Sequence, residues 1–317
     1  MLFRSIVVMA GDHGVCEEGV SAYPQEVTAQ MVLNFLNGGA AVNVLAKHAG
    51  AEVVCVDIGV KGELSHPGLV SAKVRKGTGN LRREPAMTKA ETLRALLIGM
   101  KLADELADEG YGLLGTGEMG IGNTTSSSAI LAVLAGIPLE EAVGKGTGID
   151  ERQLAHKRDV IRAAIELHGF QIGEIAHLSG EDAKVSEHGA MALQEHALEV
   201  LQKLGGLEIA GLTGVILGAA ARRVPVVIDG FISTAAALAA SRLHPLARGY
   251  MIPSHLSAEP GHLRMMKAAE LEPILQMDMR LGEGTGAALA FPIVESAVKI
   301  MAEMATFESA GIAGKKS

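Results

Sequence analysis

YGLLGTGEMGIGNTTSSSAI, residues 111–130, passes from a short apolar run through a glycine-rich loop into a stretch of helical character. This is how a parallel strand, its loop and its crossover helix appear in sequence. The pattern recurs along the chain. SIVVMA (5–10) runs into GDHG, EVVCVDIG (52–59) into VKGELSHPG, VPVVID (224–229) into GFIST, and GYMIPS (249–254) into HLSAEPGH. Short continuous apolar runs suit strands buried on both faces. The expectation is an α/β fold with a parallel Rossmann-like sheet flanked by helices, and a smaller helical part formed by the chain ends. The expected division is 1–284 for a large α/β domain and 285–317 for a C-terminal helical segment contributing to a small domain.

Helices are read from caps and spacing. Thr88-x-x-Glu91 forms a capping box that opens a helix running to about Asp108. Asn123 or Thr124 is expected to cap the helix through TTSSSAILAVLA. Amphipathic spacing marks 149–168 and 191–203, while 207–222 is apolar all round and so buried. A long helix is expected over 285–305, and the polar span 170–190 reads as a surface connection.

Composition narrows the partners. The 317 residues carry a net charge of −8 and no Lys/Arg run, which argues against nucleic acid. Cys16 and Cys55 lack C-x-x-C spacing, so neither a disulfide scaffold nor a zinc site is expected. The N-terminal apolar run is too short for a signal peptide, and no run reaches the roughly 18 residues of a membrane span. A cytoplasmic protein with no membrane partner, no metal and no cofactor is the expectation.

Two phosphate motifs overlap in the opening stretch. Gly115–Gly120 fits G-x-G-x-x-G, but the apolar run before it is short and the acids about 20 residues on, Glu140 and Glu141, sit in the following loop or helix. Gly117–Thr124 fits the P-loop except that Asn123 replaces the lysine that reaches the β/γ-phosphates. What survives is a helix N-terminus with small residues, suited to a monophosphate without magnesium; a glycine turn that merely packs closely is the alternative. GKGTGID (144–150) precedes a second helix carrying Lys157, either a phosphate ligand or an ordinary exposed lysine. In MRLGEGTGAALA (279–290), Glu283 is either a helix-start acid favoured by the dipole or a buried general base of raised pKa. The loops at the strand ends bring Asp12, His13, Glu118, Asn123, Asp229, Ser254, His255, Ser257 and Glu259 toward one crevice.

AGDHGVCEEGVSAYPQEVT, GEMGIGNTT, GKGTGID, PVVIDGFISTAAAL, SHLSAEPGH, MRLGEGTGAALA and EMATFESAGI, in this order, closely resemble the nicotinate-nucleotide–dimethylbenzimidazole phosphoribosyltransferase family from about residue 5 to 312. The resemblance implies transfer of the 5-phosphoribosyl group of nicotinate mononucleotide to 5,6-dimethylbenzimidazole, which gives α-ribazole 5′-phosphate for the lower ligand of cobalamin. It implies Glu283 as base, with Glu118 positioning the acceptor or stabilising charge at the ribosyl centre. It implies Gly120, Gly122, Asn123, Thr124, Gly146, Thr147, Gly148, Lys157 and Asp229 for the phosphoribosyl group. For the benzimidazole it implies Ser21, Tyr23, Gln25, Gln30, Met119 and Leu281; for Met119 and Leu281, ordinary core packing is the alternative. It also implies a homodimer. Members carry several dozen residues ahead of the first strand, whereas Met1 stands nine residues before AGDHG, so the family's N-terminal segment is expected to be missing. Three rivals remain: the same fold acting on adenine or a phenolic base, a non-catalytic nucleotide-binding homologue, and a P-loop or NAD-binding protein. Intact Glu118 and Glu283 speak against the second, and the loop chemistry against the third.

Overall fold

A computed structural model describes residues 3–173 and 187–313. Its sheet has six parallel strands: β1 (Phe3–Gly11), β2 (Glu52–Gly59), β3 (Leu69–Ser71), β4 (Tyr111–Met119), β5 (Val226–Ile228) and β6 (Met251–Pro253). Their order is β3-β2-β1-β4-β5-β6, the Rossmann order. A separate ladder pairs β7 (His255–Leu256) with β8 (Leu275–Gln276).

The helices in chain order are α1 (Glu26–Leu36), α2 (Ala41–His48), α3 (Lys89–Asp108), α4 (Asn123–Ala135), α5 (Leu139–Ala142) and α6 (Glu151–Leu167). They continue as α7 (Glu187–Leu204), α8 (Leu207–Ala221), α9 (Phe231–Leu243), α10 (His262–Ala268) and α11 (Thr285–Glu303). Alternation along β1 divides them into two layers. Ile6, Val8 and Ala10 join a core with α1, α2 and the start of α11. Val7 and Met9 face the larger core under α3 and α8. Each fully buried valine or isoleucine stabilises these layers by roughly 1.5–3 kcal/mol.

The expected strands are present, and α3 opens with the expected box: the Glu91 amide donates to Thr88 Oγ1 at 3.2 Å, and the Thr88 amide to Glu91 Oε2 at 2.8 Å. Two expectations need correction. β4 does not stop at Leu114 but runs through GTGEM to Met119. Gly117 pairs with Val8 of β1, and a Cβ there would stand 2.5 Å from the Glu283 carbonyl oxygen, so only glycine lets the sheet and the Glu283 turn touch backbone to backbone. Neither Asn123 nor Thr124 caps α4; the N-cap is Gly122, in the left-handed region at φ 97°, with no side-chain cap. α11 has the length and mean hydropathy of a membrane span, but Thr285–Phe291 packs into the core and Glu295, Lys299 and Glu303 interrupt the rest, so no unbroken apolar run of that length results. In the connection expected over 170–190, residues 174–186 lie outside the described residues.

Candidate active site

β1 and β4 are neighbours whose chains leave to opposite faces of the sheet, and in such a sheet ligands bind beyond the carboxyl ends of those strands. A cavity of about 240 Å³ lies there. One end is lined by Gly120, Gly122, Asn123, Thr124, Gly146 and Thr147. With no side-chain cap, the first amides of α4 stand beside this end, the arrangement that holds an anion. Lys157, from α6, does not line the cavity but is fully buried behind this end, with Nζ donating to Thr124 Oγ1 at 2.8 Å and to the Gly144 carbonyl at 3.3 Å. It is therefore not an exposed lysine. Burial brings its pKa down to about 8, partly offset by the Glu259 charge.

The other end is mostly apolar. Met119 and Leu281 line it with Tyr23 at the rim, as do Val27 and Met31, which the sequence reading missed, whereas Ser21 lines the cavity beside Thr147, their hydroxyl oxygens 3.3 Å apart. Tyr23, Val27 and Met31 stand four residues apart, so from Val27 onward the phase of α1 sets the wall. That phase takes Gln30 out to solvent. Gln25 does not line the cavity either, because its Nε2 donates to the His13 carbonyl at 2.8 Å. Gly148 also stays outside it.

Glu118 and Glu283 meet between the two ends. Glu118 accepts hydrogen bonds from the Asn123 side chain and from the Glu283 amide. Burial, then the charges of Asp229 and Glu208, push its pKa up to about 8. Glu283 accepts from the Val42 amide at the start of α2, while its Oε2 is buried without a partner. Burial and Asp229 raise it to about 7. A carboxyl in a cavity wall that titrates near neutrality and has one oxygen without a partner is suited to take a proton.

Asp229 does not line the cavity; both its oxygens are engaged by amides of the Gly284–Ala287 segment. Asp12 and His13 lie behind the wall: Asp12 accepts from the Lys61 amide at 2.7 Å, and His13 bonds Ser126 at 3.1 Å and Glu208 at 2.6 Å. His255, Ser257 and Glu259 do line it, and so do Phe231, Ile232 and Arg280, which sequence reasoning passed over. His262 pins this wall. Its Nδ1 accepts from the Ser257 amide at 2.7 Å, so the proton sits on Nε2, which donates to Thr234 Oγ1 at 2.8 Å; that hydroxyl donates to the Gly230 carbonyl at 2.8 Å. Burial and the nearby His255 bring the His262 pKa down to about 3.

A family model described as a phosphoribosyltransferase matches residues 3–312. The nicotinate-nucleotide–dimethylbenzimidazole phosphoribosyltransferase of Chloroflexus aggregans is 52% identical over 313 residues, covering 98% of this chain and 82% of the relative. That of Desulforamulus reducens is 52% identical over 307 residues, covering 96% and 81%. The crystal structure of CobT from Thermus thermophilus superposes with a TM-score of 0.87 at 45% identity, covering 99% of this chain and 88% of that one. On sequence, fold and matched length together, the chain belongs to the nicotinate-nucleotide–dimethylbenzimidazole phosphoribosyltransferase family.

Proposed function

We propose that the protein transfers the 5-phosphoribosyl group of nicotinate mononucleotide to 5,6-dimethylbenzimidazole, releasing nicotinate and forming α-ribazole 5′-phosphate. The observation that carries this reading is a single cavity with an uncapped helix N-terminus at one end, a buried lysine behind it on Thr124, an apolar wall at the other end, and Glu283 between them. The 5′-phosphate is held by the α4 amides, Thr124 and Lys157, with Gly146 and Thr147 closing over it. The flat bicyclic base lies against Val27, Met31, Met119 and Leu281.

The chemistry needs few groups. Nicotinate leaves from a pyridinium that is already cationic, so its departure requires no general acid. The attacking nitrogen enters from the face opposite the leaving group, which inverts the β-donor to an α-riboside. As the new bond forms, the other ring nitrogen loses its proton to Glu283 Oε2. Glu118 acts by position, tying Asn123 at the phosphate end to the Glu283 backbone.

We infer further that the enzyme is a cytoplasmic homodimer. Ile293, Val298, Ile300 and Met301 on the outer half of α11, with Met304 and Phe307 beyond it, leave an apolar surface exposed, which supports a partner copy there. This segment from residue 285 is read as contributing to a small domain.

The test is nicotinate release from nicotinate mononucleotide, with and without dimethylbenzimidazole, beside Glu283→Gln. Base-dependent release that yields α-riboside and falls about 10²-fold or more in the variant supports the reading. No release from protein that binds the nucleotide overturns it. Competition with adenine and a phenol tests the acceptor.

A further inference from the structure

Asp229 closes β5, far in sequence from the glutamates, and is fully buried. Its Oδ1 accepts from the Gly286 amide at 2.7 Å and the Ala287 amide at 3.3 Å, and its Oδ2 from the Gly284 amide at 3.1 Å. Its own amide donates to Thr116 Oγ1 at 3.0 Å, which ties it to β4. These acceptors serve the start of α11, which has no side-chain cap from Gly284, its N-cap residue. The helix dipole is thus already answered, and Glu283 is not needed as a helix-start acid.

Glu283 itself sits at φ 66°, between Gly282 at 76° and Gly284 at 94°. A non-glycine residue in the left-handed region costs on the order of 1–2 kcal/mol and persists only where its surroundings fix it. Here both sides are fixed. Glu118 accepts the Glu283 amide, and Asp229 holds the amide of Gly284 and those beyond. The strained turn sets Glu283 in the cavity wall with one carboxylate oxygen buried and unpartnered.

We propose that Asp229 is a positioning residue for the transfer reaction, locking the Glu283 turn through the first amides of α11 and setting a like charge behind that carboxylate. The proposal rests on Glu283 being the base. Groups facing Glu283 come from every element around it: Glu118 from β4, Asp229 from β5, His255 from β7 with Nδ1 4.0 Å from Asp229 Oδ1, Arg280 and Glu259 across the cavity, and the Val42 amide from α2. Asp229 is the charge among them that raises Glu283, and burial acts in the same direction.

The experiment is kcat/KM for the full reaction across about pH 5 to 9 in wild type, Asp229→Asn, Asp229→Ser and Glu283→Gln, with melting curves at each pH. Asn keeps an acceptor for the Gly286 and Ala287 amides but sets its NH2 against the Gly284 amide; Ser removes the charge without that opposition. The expected result is an acid limb near pH 7 in wild type that moves down by about one pH unit or more in both charge-removing variants, with a lower plateau. Substrate ionisations are common to all variants and cancel in the comparison. A plateau that falls while the limb stays in place makes Asp229 a helix prop only and overturns the proposal, as does failure of both variants to fold. Full activity in Glu283→Gln would instead unseat the base, a result separable from either outcome for Asp229.

Discussion

Two helices, α4 and α11, start at the same crevice, each from a glycine in the left-handed region and each without a side-chain cap on that glycine. Their N-termini nevertheless do different things. At α11 the place of the anion is filled by the protein's own Asp229. At α4 it is left to the cavity, with Lys157 and Thr124 beside it. One terminus holds the Glu283 turn in the left-handed region; on the proposed reading the other keeps its dipole for the phosphate. A helix N-terminus at a sheet's carboxyl edge is therefore a binding site only where the chain has not already filled it.

The comparison can be broken by making α4 resemble α11. Thr124→Asp puts an internal carboxylate next to Lys157, and kcat/KM for nicotinate mononucleotide should fall by about 10³-fold, mostly through donor KM, as the phosphate is repelled and its lysine taken. Steady-state kinetics at saturating acceptor decide it; unchanged donor KM would mean the phosphate binds elsewhere.

A smaller effect sharpens the same point. Lys157 attracts phosphate only while protonated, and its pKa of about 8 means that donor KM should climb as pH passes through that value. In Lys157→Met the donor KM should be about 10²-fold higher and flat over that range. A variant that kept the wild-type pH dependence would remove Lys157 from the phosphate site.

The smallest expected effect concerns stability. Glu283 titrates near 7 in the folded protein against an ordinary 4.5, so the folded state holds its proton more tightly. Its contribution is fully present below about pH 4.5 and is lost as pH rises through 7. Glu283→Gln, neutral throughout, should match wild type in melting temperature near pH 4.5 and exceed it by a few degrees at pH 8. Scanning fluorimetry at the two pH values checks this, and equal melting at pH 8 would show that the wild-type carboxylate bears no burial cost.

Much of this was legible in the sequence. Strands buried on both faces leave continuous apolar runs, so β1, β2, β5 and β6 stood out. β3, β7 and β8 did not, because two or three residues carry no periodicity. β4 was read too short, since its glycines look like a loop until the Glu283 turn is seen to press on them. Glu118 was found because strand-end loops converge, and Glu283 because it stands between two glycines just ahead of an apolar helix. Val27 and Met31 were missed, and Gln25 and Gln30 were carried over from the resemblance, since the phase of α1 depends on where the helix begins. Asp229 was placed in the crevice but not under α11, a contact across 55 residues that no local pattern announces.

The chain from Ser257 through His262 and Thr234 to Gly230 has a consequence for how the enzyme meets a change of pH. Every donor in it points the same way, and its imidazole takes no second proton until about pH 3. Hence this wall keeps one shape while Glu283 and Lys157 gain and lose their charges around neutrality. Proton traffic and scaffolding are assigned to different residues, so the enzyme can alter its protonation without altering its mould.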